Sequence, residues 1–230
     1  MINGKTILAI VPARGGSKRL PKKNLLLLAE KPLILWTIEA GIKSKYVDML
    51  VVSSDDSEII RLSSKMGIQT IVRPKELSTD EVLIFPLIEH VLDNIDKTFD
   101  FIICLQPTSP LRNEIHIDEA LEFLVQKGAD AVISVCEMEH SPLWSNTLPD
   151  DKSMEGFLKE DIKGIRSQDL PKYYRLNGAI YICKTTRLMQ KNNFAIDDNI
   201  FAFKMDRKSS IDIDEKEDLL IAETFINSNE

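Results

Sequence analysis

Short apolar segments alternate with amphipathic segments along most of this chain, and this alternation restricts the folds that the chain can adopt. Apolar runs of strand length occur at residues 7–11, 49–53, 69–72, 101–105 and 131–136. Helical patterns occupy the intervening segments, at 31–44, 54–67, 82–94 and 117–127. Strands and helices at this spacing predict right-handed βαβ units and a largely parallel sheet. We therefore expect an α/β, Rossmann-like fold with helices on both faces of the sheet.

The periodicity fails between residues 137 and 176 and then resumes. Residues 177–183 and 200–205 predict two further strands, and a final helix is expected from residue 215. The irregular segment 137–176 holds many large apolar side chains, namely Trp144, Met154, Phe157, Leu158, Tyr173 and Tyr174. A loop this long inside a compact domain is usually functional or interfacial. We expect a single domain over residues 1–230 in which this insertion packs on a second subunit, although it could also pack back on its own.

Composition excludes several classes of protein. The 230 residues suffice for one α/β domain with a substantial core, and a net charge of −7 argues against general nucleic-acid binding. No apolar stretch approaches the roughly 18 residues of a membrane span, and the N-terminal residues lack signal-peptide features. Cys104, Cys136 and Cys183 all lie in strand-like segments and are expected to be buried free thiols. We expect a cytoplasmic protein with neither a nucleic-acid nor a membrane partner.

A loop rich in glycine and positive charge follows the first strand. Residues 11–24 read Val-Pro-Ala-Arg-Gly-Gly-Ser-Lys-Arg-Leu-Pro-Lys-Lys-Asn. Open α/β sheets bind ligands at the carboxyl ends of their strands, and glycines let the backbone approach a ligand closely. The sequence fits neither the Walker A pattern nor the G-x-G-x-x-G pattern. A polyanion such as a triphosphate is the expected ligand, and a solvated basic loop is the alternative.

Two aspartates near the end of the chain form a second candidate site. Asp212 and Asp214, in Ser-Ile-Asp-Ile-Asp, share one face of an extended segment, and Ile211 and Ile213 share the other. Ionised carboxylates in such a position need hydrogen bonds, opposite charge or a cation. Mg²⁺ commonly takes one or two carboxylates together with substrate phosphates. We predict that this pair binds Mg²⁺, while N-capping of the last helix by Asp214 is the alternative for that residue.

A third segment, Leu-Gln-Pro-Thr-Ser-Pro-Leu-Arg at residues 105–112, ends a central strand. Its two prolines stiffen the loop and hold Gln106, Thr108 and Ser109 as hydrogen-bonding groups. A polyhydroxylated acid suits such groups, whereas a rigid turn with capping side chains is the plain alternative. Because the segment follows a strand, it is expected to face the same crevice as the first loop.

These three segments, in their order along the chain, resemble the N-acylneuraminate cytidylyltransferases, or CMP-sialic acid synthetases, and the resemblance runs from about residue 7 to residue 223. It implies a nucleotidyltransferase fold and the reaction of CTP with an N-acylneuraminate to give CMP-N-acylneuraminate and diphosphate. It also implies Mg²⁺ as cofactor and a homodimer in which the insertion lies across the partner. CMP-activation of a legionaminic, pseudaminic or Kdo-type acid is an alternative, as is a non-catalytic domain that binds a sugar nucleotide.

The resemblance assigns a catalytic and nucleotide-binding set. Arg14 and Lys23 would hold the triphosphate and act in catalysis with Asp212. Asn24 would lie beside the ribose, and Arg73 would read the edge of cytosine unless it simply caps a strand end. The remaining nucleotide-binding assignments are Ala13, Lys18 and Asp80.

The resemblance also implies that an acidic nine-carbon sugar is the second substrate. Arginine pairs bidentately with carboxylates, so arginines are expected among its contacts. The implied contacts are Gln106, Thr108, Ser109, Arg166, Arg175, Asn177, Tyr181 and Phe194. Three positions depart from the family pattern. One is Trp144, which stands where some members have a lysine that crosses to the partner's site. Ser167 stands where the family has an arginine, with Arg166 one place earlier, and Ala195 follows Phe194 where some members have a second aromatic residue.

Overall fold

Nine strands and six α-helices follow one another in the part of the chain that the computed structural model describes, residues 1–79 and 81–228. The strands are β1 (Ile7–Pro12), β2 (Leu27–Leu28), β3 (Lys31–Pro32), β4 (Met49–Ser54), β5 (Gln69–Val72), β6 (Phe101–Cys104), β7 (Ala131–Glu137), β8 (Tyr174–Lys184) and β9 (Ile200–Met205). The helices are α1 (Leu33–Lys43), α2 (Ser57–Lys65), α3 (Ile84–Asp93), α4 (Glu114–Lys127), α5 (Thr185–Lys191) and α6 (Lys216–Asn227).

Seven strands form one mixed, mostly parallel sheet in the order β5-β4-β1-β6-β8-β7-β9. The strand β8 is antiparallel to both of its neighbours, and the other pairings in this sheet are parallel. The expected α/β fold is confirmed. The strand predicted at 177–183 is longer than predicted and runs antiparallel to both of its neighbours in the sheet. The chain leaves β7 at the carboxyl edge and enters β8 at that same edge, so β8 returns beside β7 without the crossover that a parallel strand needs.

The two faces of the sheet bury separate apolar clusters, because successive side chains of a strand point to opposite faces. In β1, Ile7, Ala9 and Val11 face a cluster with α1, α2 and α4, whereas Leu8 and Ile10 face a cluster with α3. All five are fully buried. The near-continuous apolar character of β1 therefore reflects a strand covered on both sides, as the sequence predicts.

A third, smaller cluster lies outside the sheet and joins the two ends of the chain. It contains Leu20 from the loop after β1, Ile213 from the segment before α6, and Leu28, Leu33 and Ala222. Ile213 is the residue between the two predicted metal-binding aspartates. Burying it against Leu20 brings the aspartate segment to the glycine-rich loop.

The starts of three helices differ in how they are capped. The Asp56 side chain caps α2, accepting from the Glu58 and Ile59 N–H groups. The helix α3 begins after Leu83 without a side-chain cap, within the helical pattern predicted at 82–94. The alternative that Asp214 caps the last helix is wrong, because Glu215 occupies that position.

The insertion between β7 and β8 carries short 3₁₀ turns at Pro142–Trp144, Glu160–Ile162 and Ser167–Asp169. It exposes large apolar side chains, including Leu148 and Met154. A hydrogen bond from the Met138 N–H to the Tyr173 carbonyl closes its base. The predicted role of this segment in a dimer remains a prediction.

Among the described residues, none of the helices has the length and apolar character needed to cross a membrane.

Candidate functional site

A cavity of about 560 Å³ opens at the carboxyl ends of β1 and β6, and we call it the main cavity. Three segments that are distant in sequence line it. The lining residues of these segments are Arg14, Gly16, Ser17, Lys18, Arg19, Lys23 and Asn24, then Gln106, Pro107 and Thr108, and finally Asp212 and Asp214. The predicted convergence of the cationic loop and the aspartate pair is therefore present in one cavity.

The glycine-rich loop is held in place by the start of α2. The Gly15 N–H donates to Asp55 Oδ1 at 2.9 Å. A Cβ at Gly15 would stand 2.8 Å from the Asp56 Cβ, so only glycine fits at this approach. Within the loop, Asn24 Nδ2 donates to the Arg14 carbonyl at 2.9 Å. These contacts turn the basic side chains of the loop towards the main cavity.

Lys23 ties the loop to the aspartate segment. Its ammonium donates to the Ile213 carbonyl at 2.7 Å and to Asp214 Oδ1 at 2.9 Å, with only 14% of the side chain exposed. On the opposite side of the segment, the Ile213 N–H donates to the Thr108 carbonyl at 2.8 Å. The backbone of Ile213, between the two aspartates, is thus hydrogen-bonded both to the glycine-rich loop and to the loop after β6.

The two aspartates have opposite electrostatic environments. Burial raises the pKa of the Asp212 carboxyl, and repulsion from Asp214 raises it further against the opposing effect of a Thr108 hydrogen bond. The Lys23 ammonium lowers the pKa of Asp214, and the Arg19 guanidinium, 2.8 Å from Asp214 Oδ2, adds to this. Asp214 is a stabilised ion, while the ionised form of Asp212 is disfavoured.

The carboxylate oxygens of this site are suitable ligands for a divalent cation. Asp212 Oδ1 is buried and has no hydrogen-bond partner among the described residues. Within residues 1–79 and 81–228, no group of three or more His, Cys, Asp or Glu side chains is placed to hold a metal by itself. The protein would supply one or two carboxylate oxygens, which is the usual share where substrate phosphates complete a Mg²⁺ shell.

The loop after β6 rests on a buried arginine that was not predicted as a site residue. Arg112 is 1% exposed and donates to Thr37 Oγ1 at 2.8 Å and, at 3.4 Å, to the Gln106 carbonyl. Burial lowers the pKa of its guanidinium to about 10. Arg112 is the last residue of the segment 105–112. From sequence alone, an arginine that supports a loop cannot be distinguished from one that contacts a ligand.

A second cavity of about 250 Å³ shares Pro12 and Arg14 with the main cavity, and we call it the Arg73 cavity. Arg73 is buried at its wall, where Nη2 donates to the Ser53 carbonyl at 2.7 Å and Nε donates to Ser53 Oγ at 3.2 Å. Burial lowers the pKa of Arg73 to about 10. Asp80, predicted to lie nearby, falls outside the described residues.

A third cavity of about 220 Å³ shares Gln106 with the main cavity, and we call it the apolar cavity. Tyr181 and Phe194, both predicted as sugar contacts, line it with ring centroids 5.9 Å apart. Its other walls were not predicted, because they come from five separate segments. These are Ile84, Cys104, Ile133, Leu176, Asn193 and Ala195.

Five predicted site residues lie outside the lining of these three cavities in the described structure. Ala13, Ser109 and Asn177 are buried. The Asn177 amide is used internally, accepting from Ser134 Oγ and donating to Ser210 Oγ at 2.9 Å. Arg175 donates to the Ser210 carbonyl, and its charge lowers the pKa of Asp212.

Arg166 is the fifth of these residues. It is exposed on the insertion and pairs with Asp169.

Gly178 in β8 controls the position of Gln106, and we expect Gly178→Ala to impair the site. Its φ of +77° disfavours side chains, and a Cβ there would stand 2.7 Å from Gln106 Oε1. We expect unfolding free energy to fall by about 1–2 kcal/mol and kcat/KM to fall about tenfold or more as Gln106 is displaced. Urea unfolding and steady-state kinetics measure the two effects.

Gly67→Ala is the matched control for this prediction. Gly67 has a similar φ of +76°, but nothing lies within 4 Å of the position that a Cβ would take there. It should lose comparable stability while keeping wild-type kcat/KM. Equal kinetics for the two variants would show that Gln106 needs no support from Gly178.

Comparisons with known proteins show which sequences the chain is similar to. The chain is 38% identical over 216 residues to the N-acylneuraminate cytidylyltransferase of Streptococcus agalactiae serotype V, covering 93% of this chain and 51% of that protein. The chain thus spans about half the length of that relative. It is 32% identical over 234 residues to the CMP-N,N'-diacetyllegionaminic acid synthase of Legionella pneumophila, covering 97% of each.

Solved structures show the same fold. A CMP:2-keto-3-deoxy-manno-octonic acid synthetase complexed with CTP superposes with a TM-score of 0.74 at 17% identity, covering 98% of this chain and all of that one. The family model described as cytidylyltransferase matches residues 8–225, nearly the whole chain. The chain therefore belongs to the cytidylyltransferase family.

Proposed function

We propose that this protein transfers the cytidylyl group of CTP to an N-acylneuraminate-type acid sugar and releases diphosphate. The observation that carries the proposal is the meeting of the cationic loop and the Asp212 segment in one cavity. A triphosphate needs positive charge along its length, and a metal–nucleotide needs carboxylate oxygens as well. Binding of a sugar nucleotide without catalysis does not require a buried carboxylate oxygen that lacks a hydrogen-bond partner, such as Asp212 Oδ1.

The reaction is an in-line displacement at the α-phosphorus. The anomeric hydroxyl oxygen of the sugar forms the new P–O bond and loses its proton to water. The bond from the α-phosphorus to the bridging oxygen breaks, and its electron pair leaves with diphosphate. Arg14, Lys18 and Lys23 hold the triphosphate and offset the charge on the departing diphosphate. Asp212, with Asp214 beside it, would hold Mg²⁺, which neutralises phosphate charge and lowers the pKa of the attacking hydroxyl.

The Arg73 cavity is the proposed place of the cytosine. Guanidinium N–H groups match the O2 and N3 acceptors of this base. The hydrogen bonds from Arg73 to Ser53 fix the orientation of its guanidinium before a ligand binds. Asn24 donates a hydrogen bond to the carbonyl of Arg14, which lines both the main cavity and the Arg73 cavity. We propose that Asn24 contacts the ribose.

The sugar is proposed to lie against Gln106 and Thr108, between the main and apolar cavities. Arg175 is the proposed partner of the sugar carboxylate, since its charge already acts on Asp212 at the reacting end. An acid of the legionaminic, pseudaminic or Kdo type keeps the nucleotide half unchanged and remains the alternative acceptor. We place the reaction in the cytoplasm, where CTP is made.

Diphosphate release tests the proposed reaction. Purified protein is mixed with CTP, Mg²⁺ and N-acetylneuraminate or one of the alternative acids, and diphosphate and the CMP-sugar are both quantified. We expect equimolar formation of the two products, with CTP strongly preferred over UTP and ATP. Failure to form a CMP-sugar from any of these acids would leave only the binding-domain alternative.

We also propose that the chain is a homodimer in which the insertion between β7 and β8 covers the partner's site. The exposed Leu148 and Met154 on that insertion supply apolar surface for a second copy. Arg166 is exposed on the insertion and does not line the cavities of its own chain, so we propose that it serves the partner's sugar site instead.

Charged substitutions on the insertion are expected to give monomers. Leu148→Asp combined with Met154→Asp places two carboxylates in the proposed interface, where unpaired charge is strongly disfavoured. Light scattering should report a dimer for the wild type and a monomer for the double variant. Leu220→Asp, an equally exposed apolar position on α6, should remain a dimer. A monomeric wild type would refute the dimer.

A further inference from the structure

Three buried polar side chains connect the sheet to the segment that carries Asp212, and we call them the serine–asparagine row. They are Ser134 in β7, Asn177 in β8 and Ser210, which lies two residues before Asp212, and each is at most 1% exposed. Most of the side chains around them on β7 and β8 belong to the apolar core. Buried polar groups are costly unless they are hydrogen-bonded, so a row of three in an apolar core needs an explanation.

The hydrogen bonds of the serine–asparagine row run in a defined direction. The Ile180 N–H donates to Ser134 Oγ at 2.8 Å, and Ser134 Oγ donates to Asn177 Oδ1 at 2.5 Å. The Asn177 amide nitrogen donates to Ser210 Oγ at 2.9 Å, and Ser210 Oγ donates to the Asp206 carbonyl at 2.6 Å. Each hydroxyl both accepts and donates, so the loss of either one deprives the Asn177 amide of a hydrogen bond.

The row fixes the turn that leads into Asp212. At the start of that turn, the Asp206 carboxylate accepts from the Ser209 N–H and from Ser209 Oγ, both at 2.8 Å. At its end, the Ser210 carbonyl accepts from Arg175 Nη2 at 3.3 Å. Ser210 is therefore held both by its side chain and by its carbonyl, and the backbone runs from it directly to Asp212.

Stability alone does not explain why these positions are polar. A buried hydrogen bond adds little net stability, and apolar side chains of similar size would fill the same space. Directional bonds instead specify one arrangement of the groups that they join. Here they join the sheet to Asp212, whose Oδ1 is buried and has no hydrogen-bond partner among the described residues. The position of that oxygen is set chiefly by the backbone that carries it.

We infer that Ser134, Asn177 and Ser210 are positioning residues that hold the backbone before Asp212 so that its carboxylate faces the metal–nucleotide in the main cavity. None of the three lines that cavity, so they act through Asp212 and not on the substrates. This inference rests on the proposed function, because it takes Asp212 as a Mg²⁺ ligand. It also gives Asn177, which the resemblance places among the sugar contacts, a different role.

The effect of Mg²⁺ on CTP binding tests the inference. Calorimetry measures the affinity for CTP with and without Mg²⁺ for the wild type, Ser210→Ala and Ser134→Ala. Without Mg²⁺, both variants should bind CTP within about twofold of the wild type, because the cationic loop is unchanged and independent of the row. With Mg²⁺, both should lose most of the tightening that the wild type shows.

Turnover gives a second readout of the same role. The Mg²⁺ concentration for half-maximal rate should rise about tenfold or more in Ser210→Ala, as is typical when a group that orients a metal ligand is removed. Excess Mg²⁺ should then restore the rate of this variant, since Asp212 itself is still present.

Ser63→Ala is the matched control for the loss of a buried hydroxyl. Ser63 is fully buried and its Oγ donates to the Ile59 carbonyl at 2.9 Å, but it belongs to α2 and not to the row. This variant should lose comparable stability in urea while its response to Mg²⁺ stays that of the wild type.

The outcomes separate this inference from the proposed function. A wild-type response to Mg²⁺ in Ser210→Ala overturns the inference and leaves the proposed function standing, and this variant decides alone if Ser134→Ala does not fold. A wild type that makes the CMP-sugar without any response to Mg²⁺ overturns both the inference and the metal-binding role of Asp212. A wild type that makes no CMP-sugar overturns the proposed function.

Discussion

Asp212→Asn is expected to lower kcat/KM by about 10³-fold while making the folded protein more stable at neutral pH. The loss of rate follows because an amide cannot supply the anionic oxygen that Asp212 offers to the metal–nucleotide. The gain in stability follows because the ionised carboxyl is disfavoured by burial in the folded state. Steady-state kinetics and thermal unfolding of the same preparations measure both effects. Opposite changes in rate and stability are typical of a residue kept for function.

The stability gain should depend on pH in a defined direction. Folding raises the pKa of Asp212, so its contribution to stability is complete below the ordinary pKa and is lost as pH rises through the raised value. The Tm difference between Asp212→Asn and wild type should be positive at pH 7 to 8. It should shrink towards zero as pH falls below about 3, where the carboxyl is largely protonated in both states.

Asp214→Asn is the matched control and should behave in the opposite way. Lys23 lowers the pKa of Asp214, so that carboxylate stabilises the fold above its ordinary pKa and the contribution is lost as pH falls through the lowered value. Its replacement should therefore lower Tm at neutral pH. If both asparagine variants shifted Tm in the same direction, the contrast that we describe between the two carboxyls would be wrong.

Lys23→Met should lower kcat/KM by about 10²- to 10³-fold. The ammonium of Lys23 is largely buried between the Ile213 carbonyl and Asp214, and it lines the main cavity. Its loss removes a positive charge from the triphosphate site, where one positioned donor is typically worth this factor. It also removes the bond between the loop and the aspartate segment. Kinetics at varied CTP concentration should show both a higher KM and a lower kcat.

Lys22→Met controls for the removal of one positive charge from the same loop. Lys22 is adjacent in sequence, but its side chain is mostly exposed, approaches Glu58 at 3.7 Å and lies outside the lining of the main cavity. We expect a change of less than about twofold, since exposed ion pairs contribute little. Comparable losses in the two variants would mean that the loop acts through its total charge rather than through Lys23.

Much of the fold is predictable from the sequence because it depends on local patterns. The strands at 69–72 and 200–205 occur where apolar alternation places them. The direction of β8 is not predictable in this way, because hydrophobic periodicity is the same for parallel and antiparallel strands. It depends on where the chain leaves the long insertion, which has no periodicity. The helix α3 begins two residues after the start of the helical pattern at 82–94, and Leu83 before it makes no side-chain cap.

In the candidate site, too, the residues of local motifs were predictable and those brought together by the fold were not. Arg14, Lys23 and Asp212 were found because each belongs to a short motif with its own chemistry, and a shared cavity brings them together. The apolar cavity was missed because its walls are ordinary core residues from several strands and loops. Ile133 and Leu176 come to line the same cavity only through sheet pairing, at the irregular register between β7 and β8.

The most direct test of convergence on one nucleotide is the affinity for CTP with and without Mg²⁺, measured by calorimetry on the wild type and on Asp212→Asn. The account predicts that Mg²⁺ tightens CTP binding to the wild type about tenfold or more and changes binding to the variant less than about twofold. The same Mg²⁺ effect in both proteins would contradict the claim that the cationic loop and Asp212 hold a single metal–nucleotide.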